Sequence, residues 1–261
     1  MSIPRLIGMI HLDPLPGSPG YRGSLDAVTE RAVSDAATLR EAGFPALMIE
    51  NFGDVPFFPD DVPPVTLTAM TRIAAEVASA ARLPIGINVL RNDGLGALAV
   101  AAATGASMIR VNVLSGMMYT DQGPIVGRAA EIARFRATVT PSTLILADVF
   151  VKHATPVAGA AIELVALDTW ERAGADALVV SGTGTGAAID LDDARRIRDA
   201  VPDAALIAGS GATAANLAEM ASVIDGAIVG TSIKVDDKPT SPVSPAKASD
   251  LITAARSADW I

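Results

Sequence analysis

Eight times along this chain a short apolar run gives way to a stretch of helical character, and that alternation limits the fold more than any other feature. The runs are RLIGMIH (5–11), ALMIEN (46–51), PIGINVL (84–90), ATGASMIRVNV (103–113), TLILADVFVKHA (143–154), RAGADALVVSG (172–182), ALIAGSG (205–211) and GAIVG (226–230). Short, nearly continuous apolar runs fit strands covered on both faces, as in a parallel sheet with helices outside it. The helix-to-strand junction recurs in similar form at EAGFPALMIE (41–50), ATGASMIRV (103–111) and RAGADALVV (172–180), each with Gly where a helix would end.

Eight strand–helix units predict an α/β fold of the (β/α)₈ TIM-barrel type, one barrel domain spanning residues 1–261. The length suits this, since such barrels run to about 250 residues. An open doubly wound sheet is the alternative, but no GxGxxG follows the first run, which weakens a dinucleotide-binding reading. Helix starts are marked by Ser24, by Asn92 or Asp93, and by Ser244 followed by Pro245, and Gly43 marks a helix end. The segment LSGMMYTDQGPIVG (114–127) reads as a loop that opens the next helix.

The net charge of −9 and the pI near 4.7 argue against nucleic acid as a partner, because a binder of the phosphate backbone needs a basic face. With no cysteine, disulfides, thiolate metal sites and a cysteine nucleophile are excluded. No signal-peptide pattern and no membrane-length apolar segment stand in the sequence, so a cytoplasmic protein is expected.

In a barrel the chemistry sits where strands end and βα loops begin. This chain places there His11, Glu50, Asn51, Asn88, Arg91, Asn92, Arg110, Asn112, Asp148, Lys152, His153, Ser181 and Lys234, which include both of its histidines. A carboxylate next to a buried apolar strand is paired or used, since an isolated buried charge is costly. Glu50 and Asp148 are therefore read as general base and acid, or as partners of Arg110 in a structural salt bridge. Lys152 is read as stabilising an oxyanion or forming a Schiff base, and His11 and His153 as moving protons. Asn88, Asn92, Arg110, Asn112, Ser181 and Lys234 are read as substrate-binding.

The seventh and eighth runs end in IAGSGAT and AIVGTS. Loops at these strand ends commonly bind phosphate, so Gly209, Ser210, Gly211, Gly230 and Thr231 are expected to hold a phosphate with backbone donors, or simply to allow a quick turn. No organic cofactor is expected. Two His and two carboxylates leave a divalent metal open, without an HxH or HExxH spacing to support it. The loop FGDVPFFPDDVPP (52–64) holds three of the six Phe residues and reads as a lid over the barrel mouth, a subunit contact or a satellite cluster. With the Met-Met-Tyr segment at 117–119 it is the candidate surface for a homo-oligomer.

GMIHLDPLPGSP (8–19), RNDGLGALAVAAATGASMIRVNV (91–113), ADVFVKHA (147–154), GSGAT with Asn216 close behind, and GTSIKVDD with PVSP further on together resemble the BtpA/SgcQ family, from near the N-terminus to the last helix. The resemblance implies a TIM-barrel-like fold. It picks out His11, Pro16, Gly17, Asn92, Asp93, Arg110, Asn112, Lys152, His153, Gly209, Gly211, Gly230 and Lys234. Ile233 and Asp237 depart from the family pattern, which usually has an aromatic and a Gly there. Cyanobacterial members are linked to photosystem I, and enteric members sit among sugar-utilisation genes. Two functions follow as expectations. One is an enzyme of isomerase, lyase or glycosyl-bond chemistry acting on a small phosphorylated sugar or nucleoside-like molecule. The other is a non-enzymatic assembly or stability factor for a membrane complex.

Overall fold

The computed structural model describes residues 3–182, 184–186 and 188–261. Among them eight parallel strands close into a barrel: β1 (Leu6–His11), β2 (Ala46–Glu50), β3 (Ile85–Asn88), β4 (Met108–Val111), β7 (Leu144–Asp148), β9 (Ala177–Val180), β10 (Leu206–Ala208) and β11 (Gly226–Val229), with β1 pairing both β2 and β11. Three further short strands, β5 (Met117–Thr120), β6 (Gly123–Val126) and β8 (Ala154–Pro156), form an antiparallel sheet outside the barrel.

Helices fill the intervals as the alternation requires: α1 (Leu25–Ala42), α2 (Pro64–Ala81), α3 (Gly94–Thr104), α4 (Ala129–Val139), α5 (Ile162–Leu167), α6 (Leu191–Ala200), α7 (Leu217–Met220) and α8 (Pro245–Ser257). Ser24 caps α1 through its hydroxyl, and Gly43 ends it at φ 106°. Asp93, not Asn92, caps α3, its carboxylate accepting from the Gly96 amide at 2.6 Å. Ser244 caps α8 with Pro245 behind it. Past α5 the chain continues as a π-helical turn over Asp168–Arg172.

The strands sort their side chains with the period of two that any strand imposes. Ile7, Met9, Met48, Met108, Leu146, Val179, Ile207 and Ile228 point inward and pack together inside the barrel. Their neighbours, such as Leu6, Ile10, Leu47, Ile49, Ile109, Ile145 and Leu178, pack outward against the helices. One step of two beyond the inward apolar layer, the eight strand ends carry His11, Glu50, Asn88, Arg110, Asp148, Ser181, Gly209 and Gly230. The barrel is therefore apolar through its middle and abruptly polar at the carboxyl ends of its strands.

The segment 114–127 departs from its expectation as a loop. Met118 and Ile125 sit opposite one another and bury with Val113 and Val151, while Tyr119 faces out. This small cluster, and a two-residue turn closed by Thr120 on Gly123, make it a hairpin. β8 adds to its edge, so the fifth run ends as barrel strand at Asp148 and re-emerges in the outer sheet.

Candidate active site

Arg110 and Asp148 form the centre of the polar layer. Nε and Nη2 of Arg110 donate to Oδ2 and Oδ1 of Asp148 at 2.8 and 2.7 Å. Ser181 donates its hydroxyl to Oδ1 at 3.1 Å, and Asn112 donates its amide to Oδ2 at 3.3 Å. Asn88 in turn donates to Asn112 at 3.1 Å. Four hydrogen bonds from three side chains, two of them from one guanidinium, hold this carboxylate in place. Of the two readings of Asp148, proton transfer or a structural salt bridge with Arg110, the contacts seen are those of the salt bridge.

Glu50 is different. It is buried, and its Oε1 has no hydrogen-bond partner among the described residues. Nε2 of His11 lies 3.7 Å away. The imidazole's Nδ1 is 3.1 Å from the carbonyl of Pro239, a partner that requires the proton on Nδ1. Burial pushes the His11 pKa well below its usual value, and the charges of Lys234, Lys152 and Arg110 push the same way. His11 is then neutral near pH 7, with Nε2 a bare acceptor facing a bare carboxylate oxygen. A hydroxyl or amine donor entering here meets both.

Lys152 comes from the loop after β7. It is 8% exposed, and its ammonium has no hydrogen-bond or ion-pair partner among the described residues. Burial lowers its pKa, Glu50 opposes that shift, and Arg110 adds to it. Its backbone is fixed instead: Nη2 of Arg91 donates to the Lys152 carbonyl at 2.5 Å.

Gly209, Ser210, Gly211, Gly230 and Thr231 come together around one cavity of about 200 Å³, with Ala212, Ser232 and Lys152 on its walls. The glycines open it. A Cβ on Gly209 would lie 2.5 Å from the Ser181 hydroxyl and 2.9 Å from Arg110 Nη2, and one on Gly230 would lie 2.8 Å from Cε1 of His11. Two side chains that the motif reading left without a role tie the walls. Ser232 donates to the Ala212 carbonyl at 2.6 Å, and Asn216 both accepts from the Thr213 amide and donates to the Gly211 carbonyl. The three-residue spacing of Thr213 and Asn216 is the available signal for that turn. Among the described residues the amides of Gly211, Ala212, Thr231 and Ser232 have no protein acceptor.

Two expected substrate contacts lie elsewhere. Lys234 is completely enclosed, and its ammonium sits 2.8 Å from Asp35 of α1, whose other oxygen accepts from the Val243 amide. It pins the last loop to α1 and has no surface to offer a ligand. Asn92 spends both ends of its amide on the backbone of Val113, at 3.0 and 2.7 Å, and braces the exit of β4. His153 is at the rim, its Nε2 accepting from the Thr185 amide at 3.1 Å. Among the described residues no group of three His, Asp or Glu is placed to hold a metal ion, and no helix is long and apolar enough to cross a membrane.

A second cavity of about 390 Å³ adjoins the first at Lys152 and is bounded by Glu50, Phe52, Val55, Phe57, Leu90 and Arg91. Of the Phe-rich loop, Phe52 and Phe57 thus turn toward the mouth, while Phe58 is half exposed.

Among solved structures the chain is similar in fold to phosphoribosyl anthranilate isomerase from Thermus thermophilus (TM-score 0.58, 14% identity, covering 97% of this chain and 98% of that one). It is equally similar to orotidine 5′-monophosphate decarboxylase from Methanocaldococcus jannaschii (TM-score 0.59, 14% identity, 97% and 99%). These neighbours are TIM-barrel enzymes of sugar-phosphate or nucleotide metabolism, and at such identity the likeness is one of fold. In sequence the chain is 47% identical to an uncharacterised protein of Thermococcus kodakarensis, over 96% of this chain and 95% of that one. It is 40% identical to the photosystem I biogenesis protein BtpA of Synechocystis, over 95% and 87%. The BtpA family model matches residues 3–257, and the chain belongs to the BtpA family.

Proposed function

We propose that this protein is an enzyme acting on a small phosphorylated sugar or nucleoside-like substrate, by isomerase, lyase or glycosyl-bond chemistry. The observation that carries the reading is the position of Lys152: with no ion-pair partner among the described residues, it lines both the glycine-lined cavity and the lobe that holds Glu50. The phosphate sits on the amides of Gly211, Ala212, Thr231 and Ser232, which offer four donors with no protein acceptor of their own among the described residues. The sugar then reaches from that cavity toward Glu50. Glu50 and the free Nε2 of His11 accept a proton, and Lys152 stabilises the negative charge that develops. Arg110, held on Asp148, adds positive potential beneath the phosphate cavity.

A thermal-shift panel of inorganic phosphate and sugar phosphates tests the reading. A ligand at about 100 times its dissociation constant adds roughly 2.7 kcal/mol of stability, a rise of several degrees. A shift that disappears in Gly211→Asp, whose carboxylate fills the cavity and repels phosphate, supports the site. A shift of equal size in that variant would sink it.

One observation favours a second reading, an assembly or stability factor: the 40% identity to a photosystem I biogenesis protein. Such a role needs no open cavity and no buried lysine at its edge. It gains ground if the ligand panel is flat and substitutions at Lys152 and Glu50 leave the biological role of the protein intact.

A further inference from the structure

The lobe beyond Lys152 has walls of a kind that a sugar phosphate alone does not use. Phe52, Val55, Phe57 and Leu90 give it an apolar side, Glu50 and Arg91 line it as well, and Lys152 is shared with the glycine cavity. A sugar ring placed against that side would lose water from its hydroxyls without gaining partners, at about 1–3 kcal/mol for each. A flat ring loses little there, since its faces want apolar and aromatic neighbours. The polar groups of the lobe, Asp121, His153 and Thr185 among them, are where the edge of a heteroaromatic ring would find donors and acceptors.

The apolar wall is also built in advance. The Gly53 amide donates to the Leu12 carbonyl at 3.0 Å, Asp54 accepts from the Leu15 amide at 2.8 Å, and the Arg91 amide donates to the Phe58 carbonyl at 3.0 Å. Asn51 accepts from the Leu90 amide at 2.7 Å. The ring of Phe52 lies 4.7 Å from that of His11, centroid to centroid. A wall tied at so many points costs little ordering when a ligand arrives. Its volume, about 390 Å³, is within the range of ligand pockets.

We propose that this lobe binds a planar heteroaromatic base, so that the substrate is of the nucleoside monophosphate type, with phosphate in the glycine cavity, base against Phe52 and Phe57, and the sugar between them beside Lys152 and Glu50. The assignment rests on the glycine cavity holding the phosphate.

Calorimetric titration of the whole protein with inorganic phosphate, ribose 5-phosphate, the common nucleosides and their 5′-monophosphates separates the two parts. At least one monophosphate should bind about tenfold or more tightly than ribose 5-phosphate, the usual scale of base stacking on an aromatic side chain. Phe57→Ala, at a partly exposed position, should remove that advantage and leave ribose 5-phosphate within about twofold. Val55→Ser, at a position 57% exposed, gives a second variant that does not threaten the fold. Ribose 5-phosphate binding as tightly as every monophosphate, or an unchanged ratio in both variants, overturns the base lobe while leaving the phosphate cavity standing. Nucleosides that bind as tightly as their monophosphates, and lose binding in Phe57→Ala, overturn the phosphate cavity and keep the aromatic lobe. A panel in which nothing binds counts against both.

Discussion

Arg110 and Asp148 meet in a two-point ion pair inside the barrel, both side chains almost fully removed from water. A pair of this kind orients two neighbours, Ser181 and Asn112, that hydrogen-bond to the same carboxylate. It is worth little as net stability and costs much when half removed. Arg110→Ala and Asp148→Ala should each cost about 3–5 kcal/mol in urea unfolding. The double variant Arg110→Ala with Asp148→Ala should cost less than the sum of the two. Strict additivity would mean that the two groups are not coupled.

Lys152 should cost stability and carry activity. Burial holds its pKa below the ordinary lysine value, so the folded state binds its proton less readily than the unfolded chain does. Stability is therefore reduced at neutral pH and recovers as the pH rises through the folded pKa toward the unfolded one. Lys152→Met should raise Tm at pH 7 and lower kcat on a substrate by at least about a hundredfold. A variant with a lower Tm and full activity would contradict both statements.

His11 gives a pH dependence of the same origin. Its folded pKa lies well below the usual 6.5, chiefly through burial. In the window between those two values the unfolded chain holds a proton that the folded protein does not. Stability therefore falls as pH is lowered from about 6.5 toward the folded pKa, and then levels off. Urea unfolding from pH 8 to pH 5 should show this slope, and His11→Asn should flatten it. An unaltered slope in the variant would assign the effect to other groups.

Lys234 should behave as a structural residue. Its ammonium meets Asp35 at 2.8 Å with no exposed surface. Lys234→Ala takes from the buried Asp35 carboxylate its nearer cation and leaves only Arg31, 3.8 Å away, and should cost about 2–4 kcal/mol. Ligand affinity in the surviving folded protein should change by less than about threefold. A folded variant that keeps its stability and loses ligand binding would return Lys234 to the site.

Much of this was legible beforehand because strands and barrels impose simple rules. Eight short apolar runs alternating with helices favour a closed barrel over an open sheet. Once the barrel is known, period two places His11, Glu50, Asn88, Arg110, Asp148, Ser181, Gly209 and Gly230 in one ring. The hairpin at 117–126 was not legible, since it exists through contact of Met118 and Ile125 with Val113 and the distant Val151. Asn92 and Asp93, adjacent and alike at a helix start, divide into a brace and a cap according to what faces each of them.

By itself the sequence determined which residue types stand at the ends of eight strands, because the strand repeat and the turn chemistry act locally. Which of those residues are already paired was decided by the tertiary structure. Asp148 and Lys234 find opposite charges from residues 38 and 199 positions away, whereas the Lys152 ammonium finds no partner among the described residues and Glu50 keeps one oxygen unbonded. Burial, charge pairing and the meeting of the two cavities at Lys152 depend on distances across the closed barrel, and only folding sets those distances.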